Sequence, residues 1–132
     1  MNKPIGVGII LLNSKREVLL FLRDDKPTIP FPNIWDLPGG HPEEAESPED
    51  GIRREMMEEM DLELGEIKFF RKYEWSDFDE YIFWKEIDLD IASINLHEGQ
   101  RLAYFSPNEI DDTELAFHYN QMFKDFFEGR RK

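Results

Sequence analysis

Cysteine is absent from the 132 residues. That excludes a disulfide framework, a thiol nucleophile and any cysteine-bound metal. Long hydrophobic runs are missing too. The apolar stretch "IGVGIILL" near the N-terminus gives way at once to polar residues and is too short to cross a bilayer. No small-residue cleavage signature follows it, so a cytoplasmic protein is the expectation. Cations are scarce: 16 Lys and Arg stand against 29 Asp and Glu, for a net charge of −13. Such a surface repels nucleic-acid backbones and anionic membranes, and neither is an expected partner. A small phosphorylated ligand is not excluded, because a bound divalent cation reverses the local field. Also missing are a glycine-rich phosphate loop with its lysine, a serine elbow, and two histidines at metal-ligating spacing.

What is present reads as a packed domain. Aromatic residues make up 14% of the chain and Phe alone contributes 11, too many core formers for a disordered acidic segment. The length is that of one domain, expected over residues 1–132. Residues 5–12 and 17–23 are apolar runs joined by "NSKR", which predicts a hairpin. Residues 24–33 carry three prolines and form a loop. "IWDLP" then suits a short strand that delivers the chain to Gly39 and Gly40. Residues 66–75 and 80–87 read as two strands joined by "SDFD", and 100–105 as another. Ser106 stands three residues before Glu109, a capping-box pattern. A last helix is expected from about Thr113 to Glu128, with Tyr119, Met122, Phe123, Phe126 and Phe127 as its buried stripe. Strands, helix, strands, helix give an α/β class: a mixed sheet with helices on its faces.

The chemistry concentrates in one helix. Ser47 is a natural N-cap, Pro48 suits the first helical position, and Glu49 and Asp50 suit the first turn. The helix runs to about Met60. On a helical wheel Glu58 lies roughly 60° to one side of Glu55 and Glu59 roughly 40° to the other. Gly51 falls on the same side, while Ile52, Met56 and Met60 form a neighbouring apolar face that docks on the sheet. The three glutamates fit either a solvated acidic face or a cation site. Arg54 relieves Glu58 at i+4, but nothing local relieves the repulsion between Glu55 and Glu59. Gly51 costs the helix about 1 kcal/mol relative to Ala. A face that is locally unfavourable twice over favours the second option, with a hard divalent cation as the missing partner.

The segment also resembles a known signature. Nudix hydrolases carry Gly, five residues, Glu, seven residues, Arg-Glu, an aliphatic, any residue, Glu-Glu, any residue, Gly and an aliphatic. Gly40, Glu46, Arg54, Glu55, Met56, Glu58, Glu59 and Leu62 stand at those positions, and Asp61 replaces the second glycine. "WDLPGG" before it matches the family's usual approach to the box. The resemblance implies an α/β/α Nudix sandwich that hydrolyses a nucleoside diphosphate linked to another moiety, using Mg²⁺ or Mn²⁺. It implies Glu55, Glu58 and Glu59 as metal-binding and catalytic glutamates, with the Gly39 carbonyl as an extra ligand. Arg54 corresponds to the arginine that orients a catalytic glutamate. Gly40 and Glu46 correspond to residues that support the box. Glu98, in "HEGQ", corresponds to a further metal ligand and stands equally well as an ordinary turn residue. The proton acceptor is either Glu55 or a residue outside the box. Asp61 tolerates the left-handed backbone that glycine would adopt there, so the helix end is expected to keep its geometry.

The implied substrate is a small nucleotide, either an ordinary or an oxidised (deoxy)nucleoside triphosphate. An ADP-ribose-type pyrophosphatase and a non-catalytic nucleotide-binding module are the alternatives. No asparagine aligns with the guanine-reading position of the family's oxidised-dGTP enzyme, since Asn120 falls several residues late. His41 reads as a loop residue or a phosphate contact. Phe31, Trp75, Phe78 and Tyr119 read as core residues or base-stacking surfaces. Monomer and homodimer are both compatible with the sequence.

Overall fold

The computed structural model describes residues 3–129. In chain order the elements are β1 (Ile5–Leu12), β2 (Val18–Leu22), β3 (Trp35–Asp36), β4 (Gly39–Gly40), α1 (Pro48–Met60), β5 (Lys68–Glu74), β6 (Asp79–Glu86), a 3₁₀ turn at Ile91–Ser93, β7 (Arg101–Phe105), α2 (Pro107–Asp111) and α3 (Tyr119–Glu128). All seven strands join one mixed sheet. The near-continuous apolar run of β1 suits a strand covered on both faces. It is buried from Gly6 to Leu12 and pairs in parallel with β6, from Ile5 opposite Asp79 to Leu12 opposite Glu86. β5 lies outside β6, antiparallel, and is largely exposed. Its Lys68, Arg71 and Lys72 are the charges that discourage edge-to-edge pairing. On the other side, β7 pairs antiparallel with β2 along its whole length.

The expected hairpin forms, with a qualification. Asn13 Oδ1 accepts from the Lys15 and Glu17 amides at 3.0 and 2.8 Å and closes the turn. Beyond it β1 and β2 pair directly only at Leu12 and Val18. Further along, "WDLPGG" enters between them. Trp35 and Asp36 pair with β2, and Gly39 and Gly40 pair with β1. The single short strand expected over "IWDLP" is therefore two short strands that face opposite neighbours. The fit is close: a Cβ on Gly39 would fall on the Val7 carbonyl and lie 2.9 Å from Gly8 Cα. This segment holds two main strands apart at one end of the sheet, and the cavity described below opens there.

Each face of the sheet carries its own core. α1 covers one, with Ile52, Met56 and Met60 buried against Val7, Ile9, Leu11, Leu19 and Phe83. α2 and α3 cover the other, where Met122, Phe123, Phe126 and Phe127 pack on Ile10, Leu12, Leu20 and Ile82. Helices on both faces of a mixed sheet make the α/β/α sandwich expected. Ser47 caps α1 by accepting from the Asp50 amide, with Pro48 at the start. Both halves of the Ser106–Glu109 capping box are formed. Among the described residues no helix is long and apolar enough to cross a membrane.

The last helix departs from expectation: it begins at Tyr119, six residues later than the sequence pattern suggests. Residues 113–118 are held in a turn instead. Leu115 bridges to Trp35, the Ala116 amide donates to the Trp35 carbonyl at 2.9 Å, and Phe117 has φ +53°. Asn120 supplies what a helix would have given this loop. Its Oδ1 accepts from the Leu115 amide at 2.9 Å, and its Nδ2 donates to the Ile110 and Thr113 carbonyls at 3.1 and 2.7 Å. The buried stripe is as expected, because it starts at Tyr119. Asn120→Ala should remove these three hydrogen bonds and cost about 2 kcal/mol. A urea melt should show the midpoint fall with the slope unchanged.

Candidate active site

Two glutamates one turn apart on α1 need room to stand together, and Gly40 provides it. A Cβ at position 40 would fall on the Glu55 carboxylate, so this side chain closes directly against the β4 backbone. Glu59 follows at i+4 and is only 9% exposed. Burial is the main cause that pushes its carboxyl well above the usual range; a hydrogen bond shared with Glu55 is next, then the charges of Glu98, Glu55 and Asp36. Without a cation, the Glu59 carboxyl is best served by keeping its proton.

Glu58 behaves differently from its neighbours. Its side chain is 57% exposed, accepts from Arg54 Nη1 at 3.0 Å and stays outside the cavity. The sequence grouped it with Glu55 and Glu59 on one arc, but 100° of arc is wide enough for Arg54 to draw one member away. Arg54 is the hub of the surrounding loop. Its Nε donates to Glu46 Oε2 at 3.0 Å, its Nη2 to the His41 carbonyl at 3.0 Å, and its Nη1 lies 3.4 Å from Glu55 Oε2. The hydrogen bond from Arg54 holds the Glu46 carboxyl below its ordinary range, aided by one from the Glu43 backbone. Glu46 Oε1 in turn accepts from the Glu43 amide at 2.8 Å and tightens residues 43–46.

Gly51 has a packing role. It is buried, and an added Cβ would lie 3.2 Å from Pro42 Cα and Cβ. Its place in the helix is therefore explained by the close approach of the loop between β4 and α1, a cause distinct from the carboxylate cluster it was grouped with. Asp61 ends α1 as expected, in the left-handed region at φ 54° and ψ 32°.

Glu55 and Glu59 line a cavity of about 600 Å³, a size suited to a small-molecule ligand. Gly39, Gly40, Glu55, Glu59 and Glu98 come together at it, bringing five of the expected site residues to one place. Two buried carboxylates at the cavity were not anticipated. Asp36 is buried at 4% exposure and Glu80 at 3%. Asp36 accepts from Arg23 Nη1 at 2.7 Å and from the Leu37 amide at 2.7 Å. Burial outweighs both and pushes its carboxyl up to about 6. Glu80 accepts from the Tyr119 hydroxyl and from Trp75 Nε1, the latter at 3.3 Å. Burial again dominates and pushes it up to about 7. The signal that could have found Glu80 is its register. In β6 it shares a face with Ile82, which is buried in the core under α3, so an acid at position 80 faces inward.

The other candidates divide. Phe78 and Tyr119 line the cavity; Phe31 packs on its rim residue Phe117, ring centroids 4.7 Å apart. Trp75 is stacked between Tyr73 and His118 and is spoken for by that stack. His41 lines the mouth, its Nδ1 3.0 Å from the Ile5 carbonyl. Arg23 is the guanidinium at the wall and lies 5.6 Å from the Phe117 ring centroid.

Among the described residues no three Asp, Glu, His or Cys side chains are gathered into a ready-made metal cage. The donor set fits a divalent cation in kind. Glu55, Glu59, Glu98 and the Gly39 carbonyl are hard oxygen donors at one cavity, and the Glu55–Glu59 contact is one that a cation would relieve.

Comparison with known proteins agrees with this architecture. The family model of the NUDIX domain matches residues 2–132. A protein of Bacillus subtilis (strain 168) named "Putative 8-oxo-dGTP diphosphatase" is 29% identical over 108 residues, covering 80% of this chain and 68% of that one. The bovine "m7GpppN-mRNA hydrolase NUDT17" is 43% identical over 65 residues, 49% of this chain; the match spans only 21% of that relative's length. Among solved structures, the MutT protein from Methanosarcina mazei Go1 superposes with a TM-score of 0.76 at 24% identity, covering 99% of this chain and 97% of that one. It shares the fold.

The buried acids give the fold a pH signature. Glu80 has a folded pKa of about 7 against an ordinary 4.5, so the native state binds the proton more tightly than the unfolded chain. Its share of stability is intact below pH 4.5 and is lost as pH rises towards 7, by roughly 3 kcal/mol in total. Glu80→Gln should abolish this share. The difference in urea-derived stability between variant and wild type should shift in the variant's favour between pH 4.5 and 7.5. A pH-independent difference would contradict the burial argument.

Proposed function

The chain belongs to the Nudix family and is a pyrophosphohydrolase, and we propose that it hydrolyses the diphosphate bond of a small nucleotide, an ordinary or oxidised (deoxy)nucleoside triphosphate, with Mg²⁺ or Mn²⁺ bound. One observation carries this reading. Glu55 and buried Glu59 stand together against Gly40 at the end of a cavity that Glu98 also lines. Like charges gathered in a desolvated place need a cation, and so does a diphosphate that must approach them.

In this reading Glu55, Glu59, Glu98 and the Gly39 carbonyl hold the cation, with Glu58 able to join by leaving Arg54. The cation supplies charge neutralisation for the diphosphate and makes a water more acidic. Glu55 or Glu98, whichever is left free, takes the proton as the water oxygen bonds to phosphorus and the bridging P–O bond breaks. Arg54 holds the Glu55 carboxylate in place from the side, and Glu46 and Gly40 support it. Phe78, Phe117 and Arg23 line the same cavity and offer a ring face and a charge to the nucleoside. The similarity to the Bacillus subtilis protein supports a triphosphate substrate. Residues 1–132 act as one catalytic domain.

The test is a panel of nucleoside triphosphates, dinucleotides and nucleotide sugars, each with Mg²⁺ and with EDTA. A triphosphate should be turned over only with metal, and Glu59→Gln should lower the rate by about 10²–10⁴-fold, the usual worth of a lost acid–base or ligand carboxylate. Saturable nucleotide binding without turnover across the panel would make the chain a binding module. Preference for a nucleotide sugar would move it to the ADP-ribose type.

A further inference from the structure

The left-handed residue that ends α1 carries a side chain with work to do. The Asp61 amide donates to Met56 and Met57 carbonyls and closes the helix. Its carboxylate reaches out to the loop before β7. An ionised carboxylate only accepts, so His97 Nε2 donates to Asp61 Oδ2, at 2.9 Å, and Asn95 Nδ2 donates to the same oxygen at 3.3 Å. The His97 amide turns back to the Glu59 carbonyl at 2.7 Å. Residue 97 is thus tied to the last turn of α1 by its main chain and by its ring.

The next residue is Glu98. Beyond it, the Gln100 amide donates to the Leu22 carbonyl at 2.8 Å, and Gln100 Nε2 donates to the Arg23 carbonyl at 2.7 Å and to Asn33 Oδ1 at 2.9 Å. Glu98 is therefore suspended between two anchors, one on α1 and one on β2. It lines the cavity, and its charge acts on both Glu59 and Asp36.

We propose that Asp61 and His97 are positioning residues, a tether that runs from the end of α1 to the loop and fixes Glu98 over the cavity opposite Glu59. Neither side chain is part of the cavity wall, and both are substantially exposed, at 57% and 45%. Glycine would hold the same backbone at position 61 with less strain. The carboxylate adds no helix geometry that glycine lacks; it adds a bond to the imidazole. The proposal rests on the function given above, in which Glu98 serves the cation or the water.

The test compares Asp61→Gly, His97→Ala and Asp61→Asn, each alone and combined with Glu98→Gln. Asp61→Gly keeps the left-handed cap, so its thermal midpoint should equal or exceed that of the wild type. Its kcat should fall about tenfold with KM nearly unchanged, the usual scale for a lost orienting contact. His97→Ala should match it. Asp61→Asn tolerates the same backbone and still offers an oxygen to His97, so it should recover most of the rate. In the Glu98→Gln background, Asp61→Gly should cost nothing further. Hydrogen exchange of metal-free protein supplies a second readout: Asp61→Gly should accelerate the His97 amide and leave the α1 amides protected. Full kcat in Asp61→Gly, or a loss that persists undiminished with Glu98→Gln, would overturn the tether while wild-type turnover left the function standing. If the wild type hydrolyses nothing, the function fails, and unchanged exchange at His97 would then overturn the tether on its own terms.

Discussion

Six residues forced between two strands organise this molecule. β1 and β2 start as neighbours and are held apart by Trp35 to Gly40, which pair with one on entry and the other on exit. The insertion works only because a glycine stands where any side chain would strike the β1 backbone. Everything at the cavity follows from it. Asp36 is turned inward, Gly40 lets Glu55 close on the backbone, and the loop to α1 starts from a fixed point. Even the C-terminal half of the fold registers on it, since Ala116 bonds to Trp35 and sets where α3 begins.

The charges show the opposite economy. A chain with net −13 places six carboxylates, Asp36, Glu55, Glu59, Asp77, Glu80 and Glu98, around one cavity. Desolvation pushes several of them towards the neutral form, and each has found a distinct remedy. Asp36 has Arg23, Glu80 has Tyr119 and Trp75, and Glu59 shares a hydrogen bond with Glu55. The first two remedies are permanent. The last is provisional, a carboxylate leaning on another carboxylate, and it is the pair a cation would separate. The site is thereby split into a settled half and an unsettled half, and the chemistry belongs to the second.

Much of this was legible in the sequence. The α1 register, its Ser47 cap and its apolar face follow from local patterns, because helix chemistry is written within a few residues; the left-handed Asp61 is expected from its place at the glycine of the Nudix box. Glu98 could be named from a short motif, though the contacts that suspend it could not. What stayed hidden depends on distant partners. Asp36 sits in an apolar pentapeptide that reads as a short strand, and its burial depends on β2 and Arg23 around it. Glu58 shares an arc with Glu55 but answers to Arg54. Gly51 reads as a local flaw until Pro42 is seen against it. Asn120 reads as an ordinary helix residue, yet its side chain bonds the loop that precedes the helix.

The parallel pairing of β1 with β6 carries a cost in time. Ile5 must find Asp79, and Leu12 must find Glu86, before the centre of the sheet exists. Closing so long a loop precedes any reward from the contacts it brings, which makes such pairings slow steps in folding. α1 can form early from its own caps and residues, with its glutamates in water and at ease. They meet Gly40, and one another in a dry place, only when the central strands lock. The close approach of Glu55 and Glu59 thus depends on the central strands being in place to hold it.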